Sequence, residues 1–463
     1  MVRIPGIRAA RDRRSETIMA HRVDRILSQI AFSPRSTGYA NGARKEMRSR
    51  CGGAHDSSDH GRHVNRLEGV VSENVVPSSD ELIKRAEQLV PLIESRASSA
   101  EQNRNLDNEV VEALAEAGMF DLRRPLRYGG YETSALGLLD VLTTLSTGDG
   151  STGWNTAVWA IGSWMAATFP DHVQDEVFAT PATRICVVLS PTAVATEVDG
   201  GLRVNGRWRF MSGARHSHWQ VIITMAPAPD GSQWPVAALV PMSELKIEDD
   251  WYTSGFAGTG SVTTVAEDLF VPQERTLPMP AILQGEYATE LNADSPVFRT
   301  PMIPTGASGF IGVAVGMARA ALDQFLHRLP GRKITFTDYA EQSTASVTHF
   351  QVAEAALKLE EAEFHARRMA GLLDEKGATG EQWTLEERMR NRGRLGRLVQ
   401  LAGEAVDILA TASGGSSIYT SVPIQRIQRD MRAFSLHGLM HPNTNFELYG
   451  RELCGLEPNT MYI

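Results

Sequence analysis

The chain has 463 residues, 42% of them hydrophobic and 22% charged, with a formal net charge of −9. This length is enough to bury a large core and predicts two or three domains or layers. The sequence contains no run of eighteen or more apolar residues, so no membrane-spanning segment and no membrane partner are expected. Cys51, Cys186 and Cys454 are far apart and lack CxxC spacing, which indicates a reducing, cytoplasmic location and argues against disulfides.

The N-terminal part of the chain differs from the rest in charge. Residues 1–70 hold 14 Lys and Arg against 7 Asp and Glu, although the whole chain is acidic. They show little apolar periodicity, which predicts a disordered basic extension over residues 1–76. Translation that begins at Met19 or Met47 is an alternative explanation for this segment. Only two aromatic residues, Phe32 and Tyr39, lie among the basic ones, so a nucleic-acid partner is not expected.

Residues 77–180 carry helical patterns. Ser78 and Glu81 form a capping-box pattern, which predicts a helix start. Apolar residues then recur at helical spacing, with breaks at glycines and at Pro170. These patterns predict an N-terminal helical domain.

The period changes in residues 181–295, where apolar and polar residues alternate from Leu202 to Phe210. This alternation predicts a strand. Asn205-Gly206 is also a candidate for a tight hairpin turn, which would split that strand in two. Further strands are predicted at 221–225, 236–240 and 262–265. The segment is therefore predicted to be a middle β domain.

Helical spacing returns from Ile303 onward. One apolar pattern covers residues 350–364, and another covers 395–409 and ends at Gly414-Gly415. These patterns predict a C-terminal four-helix bundle over residues 296–463. Bundles of this kind often associate through apolar faces, and a homotetramer is expected.

The predicted fold class is therefore α+β. The order of the three segments is similar to the acyl-CoA dehydrogenase fold over about residues 78–463. Three stretches carry the likeness: Asn205 to Gly213, Gly258-Thr259-Gly260-Ser261 after Trp251, and Arg429-Asp430 after the glycine pair. Together they resemble the two-component flavin-dependent monooxygenases that share this fold. The resemblance implies reduced FAD or FMN supplied by a partner flavin reductase, and O2 that adds to the flavin to form a C4a-hydroperoxyflavin.

The same segment bears on the alternative that the chain is an acyl-CoA dehydrogenase. In many of those enzymes a carboxylate base lies eight residues after the aspartate of the Arg-Asp pair. Here that position is Gly438, and no Glu occurs between Asp430 and Phe446, which disfavours dehydrogenation. His437 instead matches the histidine that the monooxygenase branch places near the flavin.

The resemblance also implies roles for particular residues. His437 would be catalytic and face flavin C4a, while Ser212, Gly213 and Trp208 would lie against the flavin. Arg332 would pair with a flavin phosphate. Without the resemblance, Trp208 would more often be a core residue and His437 a structural one.

Two other groups are predicted to be structural or inactive. Arg429-Asp430 is expected to be a buried pair that supports His437. His216 and His218 have no third ligand at a suitable spacing, so no metal site is expected.

The substrate prediction depends on a missing histidine. Aromatic hydroxylases of this branch commonly carry a histidine two residues before a tryptophan, and Gly162 stands at that position before Trp164. The absence of this histidine disfavours phenols. The segment at Leu189 and Ser190 resembles the corresponding segment of the nitrososynthases. These two residues and Gly162 are therefore predicted to bind the substrate. The leading hypothesis is N-oxygenation of the amine of a thymidine-diphosphate amino sugar in antibiotic biosynthesis.

Three alternatives to N-oxygenation stay open. The first is an aromatic or polyketide C-hydroxylase, which would need His437 or His441 as a base. The second is the acyl-CoA dehydrogenase considered above. The third is a non-catalytic flavin carrier or a nucleic-acid binder that uses the basic extension.

Overall fold

The computed structural model describes residues 76–228 and 231–463. The basic extension predicted for residues 1–76 therefore lies, apart from Val76, outside the described residues. All of these described residues belong to one contact unit. The predicted domain boundaries after residues 180 and 295 consequently stay predictions.

Helices come first among the described residues. They are α1 (Ser79–Asn103), α2 (Asn108–Glu116), α3 (Ala135–Gly148), α4 (Gly150–Ala166) and α5 (Asp171–Val177). Helix α1 begins where the capping pattern predicts, because the Glu81 N–H donates to the Ser78 side chain. Every residue of α4 is buried, which makes it the central helix of this part of the chain.

Eight strands follow and form one sheet. They are β1 (Ile185–Val187), β2 (Ala193–Val198), β3 (Gly201–Met211), β4 (Trp219–Pro227), β5 (Gln233–Pro241), β6 (Lys246–Glu248), β7 (Val262–Pro272) and β8 (Thr276–Pro278). Seven of them are ordered β6-β7-β3-β2-β4-β5-β8, and β1 pairs with β4 in parallel. The strands predicted within β4, β5 and β7 are confirmed.

The predicted hairpin at Asn205-Gly206 is wrong. Strand β3 runs through this dipeptide, and Gly206 pairs with Ala193 of β2 on one side and Ala266 of β7 on the other. A bulge between Val204 and Gly206 takes up the irregularity. A hairpin turn would have required this segment to leave the sheet, whereas the β2–β3 turn lies at Gly200, whose φ is 76°.

Helices return after the sheet. They are α6 (Met279–Gln284), α7 (Met302–Arg328), α8 (Ser346–Thr379), α9 (Leu385–Ala412), α10 (Pro423–Ser435) and α11 (Pro442–Leu453). Helix α9 contacts α7, α8, α10 and α11, so three long helices and two short ones make up the bundle. Helix α7 is long and apolar enough to cross a membrane, but 83% of its apolar window is buried inside the protein.

The packing of α4 determines where a ligand can enter. Helix α4 contacts β1 of the sheet and both α7 and α10 of the bundle. The sheet and the bundle therefore approach each other around one face of α4. The cavity described below lies at this meeting point.

Candidate active site

A cavity of about 890 Å³ lies between α4, the end of β3, α7 and the segment after α10. This volume is in the range of sites that hold a drug-sized molecule or a cofactor. Aromatic side chains line much of it: Trp154, Phe210, Trp251, Phe256 and Phe310. Flat apolar walls of this kind suit a planar ligand and exclude water from it.

His437 lies on the cavity wall just after α10. The backbone N–H of Leu439 donates to its Nδ1 at 3.3 Å, so the neutral ring carries its proton on Nε2. The ring stands edge-on to Trp154, with 5.2 Å between centroids. Although the imidazole is open to the cavity, protein surrounds that cavity, and the resulting desolvation lowers the pKa of His437 to about 4. At neutral pH this side chain is therefore an uncharged hydrogen-bond donor.

Three hydroxyl groups, those of Ser212, Ser261 and Thr259, form a row on the cavity wall. Thr259 Oγ1 donates to the Phe256 carbonyl at 2.7 Å, which commits the Thr259 proton. The 2.6 Å contact between Thr259 and Ser261 then requires Ser261 to donate. By the same argument Ser212 donates to Ser261 across 2.7 Å.

Trp154 ends this row, because its Nε1–H donates to Ser212 Oγ at 2.8 Å. Every hydroxyl proton of the row thus has an acceptor in the protein. Each hydroxyl oxygen has a second lone pair that the row leaves free. The row therefore offers hydrogen-bond acceptors, and no donors, to a ligand in the cavity.

The comparisons with known proteins give these features a context. The family model "Acyl-CoA dehydrogenase, C-terminal domain" matches residues 308–442. The flavin-dependent monooxygenase, oxygenase subunit HsaA, of Mycobacterium tuberculosis is 31% identical over 386 residues, which cover 80% of this chain and 95% of that protein. The oxygenase component of FADH(2)-dependent resorcinol hydroxylase from Rhizobium sp. is 30% identical over 393 residues, covering 82% and 96%.

A solved structure agrees. XiaF from Streptomyces sp., in complex with FADH2 and glycerol, superimposes with a TM-score of 0.77 and 29% identity over 82% of this chain and 97% of XiaF. The chain belongs to the oxygenase components of two-component flavin-dependent monooxygenases. The predicted acyl-CoA dehydrogenase fold, the enzyme class and the reduced flavin cofactor are confirmed. Membership also implies a separate flavin reductase as partner.

The hydroxyl row of the oxygenase fits a reduced flavin. Reduced flavin carries a proton on N5 that oxidised flavin lacks, and an acceptor such as Ser212 suits that proton. His437, on the same cavity wall, supplies a donor for an oxygen atom. The cavity therefore offers an acceptor for the N5–H of a reduced flavin and a donor for an oxygen atom.

Ser212, Leu189 and Ser190 of the predicted site lie on the cavity wall of the oxygenase, as does His437. Gly213 does not, and its N–H donates to the Thr259 carbonyl at 3.0 Å. Its φ is 69°, and a Cβ there would lie 2.7 Å from the Trp159 ring. Gly213 is thus needed for the turn that presents Ser212, and its contact with the flavin stays a prediction.

The assignment of Trp208 to the cofactor is wrong. Its side chain is fully buried, and its Nε1–H donates to the Ile223 carbonyl of β4 at 2.9 Å. Trp208 is therefore a core residue of the sheet.

The assignment of Gly162 to the substrate is wrong as well. A Cβ at Gly162 would lie 1.9 Å from the Ile185 carbonyl oxygen of β1, whereas α4 presents Val158, Ile161 and Met165 to the cavity. A side chain at position 162 would meet the sheet. The missing histidine is therefore no argument against a phenolic substrate.

Arg429 and Asp430 do not form the predicted pair with each other. Arg429 Nη1 is 2.5 Å from Glu101 Oε1, and Asp430 Oδ1 accepts the N–H of Phe256 at 2.6 Å. Burial, together with the charge of Asp149, raises the pKa of Asp430 to about 7. Side chains of adjacent helical residues point in different directions, which explains the separate partners.

Arg332 lies off the cavity wall. Its Nη2 donates to the Ser413 carbonyl at 2.5 Å, and its buried Nη1 has no hydrogen-bond partner among the described residues. An unused N–H of this kind is consistent with a missing anionic partner. Contact with a flavin phosphate stays a prediction.

The two histidines weighed as metal ligands have other contacts. His216 Nε2 lies 3.1 Å from the Leu106 carbonyl, and His218 Nδ1 accepts the Arg184 N–H at 3.1 Å. Within residues 76–228 and 231–463, no group of three His, Cys, Asp or Glu could hold a metal.

The sequence reasoning missed Trp154, Thr259 and Ser261 as parts of the site. One signal was available. Trp154 and Trp159 are each hydrogen-bonded to a serine 58 residues later, Ser212 and Ser217 respectively. Because both pairs have the same spacing, they show how α4 is aligned against the segment that follows β3.

Proposed function

We propose that this oxygenase hydroxylates the ring of an electron-rich aromatic compound, with phenols as the substrate class. The observation that carries the proposal is the similarity to resorcinol hydroxylase, which extends over 96% of that protein. The aromatic walls of the cavity support it, because they suit a second planar molecule beside the flavin.

The side chains have separable tasks in this reaction. When bound, reduced flavin supplies the electrons that activate oxygen. Ser212 accepts a hydrogen bond from an N–H of the ring, and the Nε2–H of His437 donates a hydrogen bond to an oxygen in the cavity. A side chain with a pKa near 4 is a weak base, so the substrate has to bring its own electron density.

N-oxygenation of an amino sugar is the competing hypothesis. The comparisons favour the aromatic alternative over it. The main argument against phenols also fails, because position 162 faces the sheet. Of the two bases considered for a phenol, only His437 lies on the cavity wall.

The test mixes the purified protein with a flavin reductase, NADH and ¹⁸O2, and offers a panel of phenols, resorcinol included, and thymidine-diphosphate amino sugars. We expect mass spectrometry to find one ¹⁸O on an aromatic ring. Omission of the reductase should abolish the product. Label on an amine alone would refute the proposal in favour of N-oxygenation.

We also propose that the chain assembles with copies of itself, as a homotetramer, through α8. This helix exposes an apolar stripe, the α8 stripe, formed by Val347, Phe350, Leu357 and Phe364. Phe350 is 70% exposed and Phe364 is 68% exposed. Large exposed apolar side chains that recur along one face of a long helix are typical of an interface.

A further inference from the structure

Arg392, on α9, is a buried cation on the wall of the cavity. Its side chain is 7% exposed and forms no ion pair with any carboxylate in the described part of the chain. Burial lowers the pKa of Arg392 to about 10, so the guanidinium stays charged at neutral pH. A buried charge without a counter-charge is costly, and this cost calls for a partner.

The guanidinium is held in one orientation. Arg392 Nε donates to Asn445 Oδ1 at 2.5 Å, and Nη1 donates to the Tyr462 carbonyl at 2.5 Å. Asn445 cannot turn away, since its Nδ2 donates to the carbonyls of Leu439 and His441 at 2.9 and 3.0 Å. Two of the three nitrogens are therefore fixed before any ligand arrives.

The third nitrogen, Nη2, is available. It makes no hydrogen bond to any described residue. It is also not one of the fully buried atoms that lack a partner, so a ligand can reach it. Because Arg392 borders the cavity, this nitrogen can donate two N–H groups to a ligand there.

The other charges on the wall do not neutralise Arg392. Arg429 is paired with Glu101, while Arg432 forms no ion pair with a described residue. Glu447 is the one carboxylate among the cavity-lining residues, and it accepts an N–H from Asn459 at 3.0 Å. The wall thus has a positive excess beside its aromatic surfaces, which suits a molecule with an aromatic ring and a negative group.

We propose that Arg392 recognises a carboxylate on the aromatic substrate of this oxygenase. The inference rests on the proposed function and narrows its substrate class to phenols that carry an acidic group. A charge-assisted hydrogen bond from a preorganised guanidinium strengthens binding of the acid relative to a neutral analogue.

The test compares acids with their amides in the absence of turnover. 4-Hydroxybenzoate, 4-hydroxyphenylacetate and 3-(4-hydroxyphenyl)propanoate, each with its amide, are titrated into the protein by calorimetry. We expect at least one acid to bind about 10-fold or more tightly than its amide. Arg392→Met should bring that ratio close to 1, and Arg392→Lys should keep part of it.

Arg388→Met is the matched control, because Arg388 lies one turn away on α9, off the cavity wall, and donates to the Leu283 carbonyl. It removes the same charge and should leave the ratio unchanged. Circular dichroism and the melting temperature check that each variant is folded. Equal affinity for every acid and its amide, or an unchanged ratio in Arg392→Met, would overturn the inference.

A second arm separates the substrate from the cofactor phosphate. Reduced FMN and reduced riboflavin differ by that phosphate and are titrated anaerobically into the same proteins. We expect Arg392→Met to leave their affinity ratio unchanged. A fall in this ratio, with the acid-to-amide ratio intact, would assign Arg392 to the flavin and overturn the inference. Equal hydroxylation of the acids and the amides would contradict the role of Arg392 but would leave the proposed aromatic hydroxylation intact.

Discussion

Ser212 and His437 present opposite hydrogen-bonding characters to one cavity. The Ser212 proton is committed to Ser261, so its oxygen can only accept from a ligand. The His437 ring holds its proton on Nε2, so it can only donate. This division follows from the partners of each side chain outside the cavity and does not require a ligand to be present.

Ser212→Ala should weaken binding of reduced flavin more than binding of oxidised flavin, because only the reduced ring brings an N5 proton. The expected loss for the reduced form is about 3- to 10-fold, the worth of one hydrogen bond. Anaerobic titration followed by fluorescence measures it. Ser217→Ala is the matched control, since Ser217 accepts from Trp159 Nε1 in the same way but lies off the cavity wall. Equal losses for both flavin forms would contradict the acceptor role.

His437→Ala should release more hydrogen peroxide per hydroxylated product. Removal of one well-placed donor of this kind lowers product formation by about 100-fold in other enzymes. The ratio of peroxide to product, measured with the reductase present, reports the change. His349→Ala, at an exposed histidine that contacts the Ser343 carbonyl, is the control. Unchanged coupling in His437→Ala would remove His437 from the reaction.

Helix α4 is the element on which the cavity depends. It carries Trp154 toward the hydroxyl row and Val158, Ile161 and Met165 toward the cavity, while its glycines allow close packing on other elements. Gly162 packs on β1 and Gly153 on α3. The side chains that face the ligand keep their positions because the opposite faces of α4 have no room to shift.

Gly162→Ala should therefore destabilise the fold, by about 1–3 kcal/mol, because the new methyl group overlaps the Ile185 carbonyl. Denaturant unfolding of the two proteins gives the difference. Gly403→Ala is the matched control, since a Cβ at this glycine of α9 would meet nothing within 4 Å. That variant should be neutral or slightly more stable. A neutral Gly162→Ala would contradict the close packing of α4 on β1.

At the scale of the whole molecule, Asp430 joins parts of the chain that are distant in sequence. It lies in α10 and accepts the N–H of Phe256, which precedes β7. The charge of Asp149, which caps the start of α4, contributes to the raised pKa of Asp430. Arg426 Nε lies 3.8 Å from Asp149 Oδ1. Two carboxyl groups and one arginine thus share a buried site between helices and sheet.

This site makes stability depend on pH. The pKa of Asp430 is about 7 in the folded state and about 3.9 in the unfolded chain. Between these values only the folded state keeps the proton, so stability falls as the pH rises from about 4 to about 7. Asp149, whose pKa is also raised by burial, contributes with the same sign.

Asp430→Asn should flatten this dependence, because the amide oxygen can still accept the Phe256 N–H and never ionises. Relative to the unmodified protein, the variant should gain stability between pH 5 and pH 8, by up to about 4 kcal/mol. Melting temperatures across this range measure it, with the exposed Asp338→Asn as control. Parallel pH profiles for the two proteins would exclude Asp430 as the titrating group.

The α8 stripe belongs to the same scale. Phe350→Lys combined with Phe364→Lys should reduce the particle mass measured by light scattering, because charges in an apolar interface are not solvated. Leu126→Lys, at an exposed leucine outside the bundle, should not. An unchanged mass in the double variant would place the interface elsewhere.

Local patterns were enough to predict much of this molecule. The capping serine of α1, the alternation in β3 and the helical spacing of α8 and α9 depend on neighbours within a few residues. His437 and Ser212 were placed by their surrounding motifs, and both border the cavity. The division into three domains and the cytoplasmic location stay predictions.

Only the tertiary structure decided which way particular side chains face and what they contact. Gly162 meets β1, Trp208 lies inside the sheet, and Asp430 binds Phe256, 174 residues away in sequence. Ligand binding by Arg392 could be proposed only from the folded chain, where none of the described carboxylates forms an ion pair with it. Periodicity reports whether a residue is buried, whereas its partner depends on packing between elements that are far apart in the chain. The sequence therefore determined the fold and the flavin chemistry, and the packing determined which residues line the cavity.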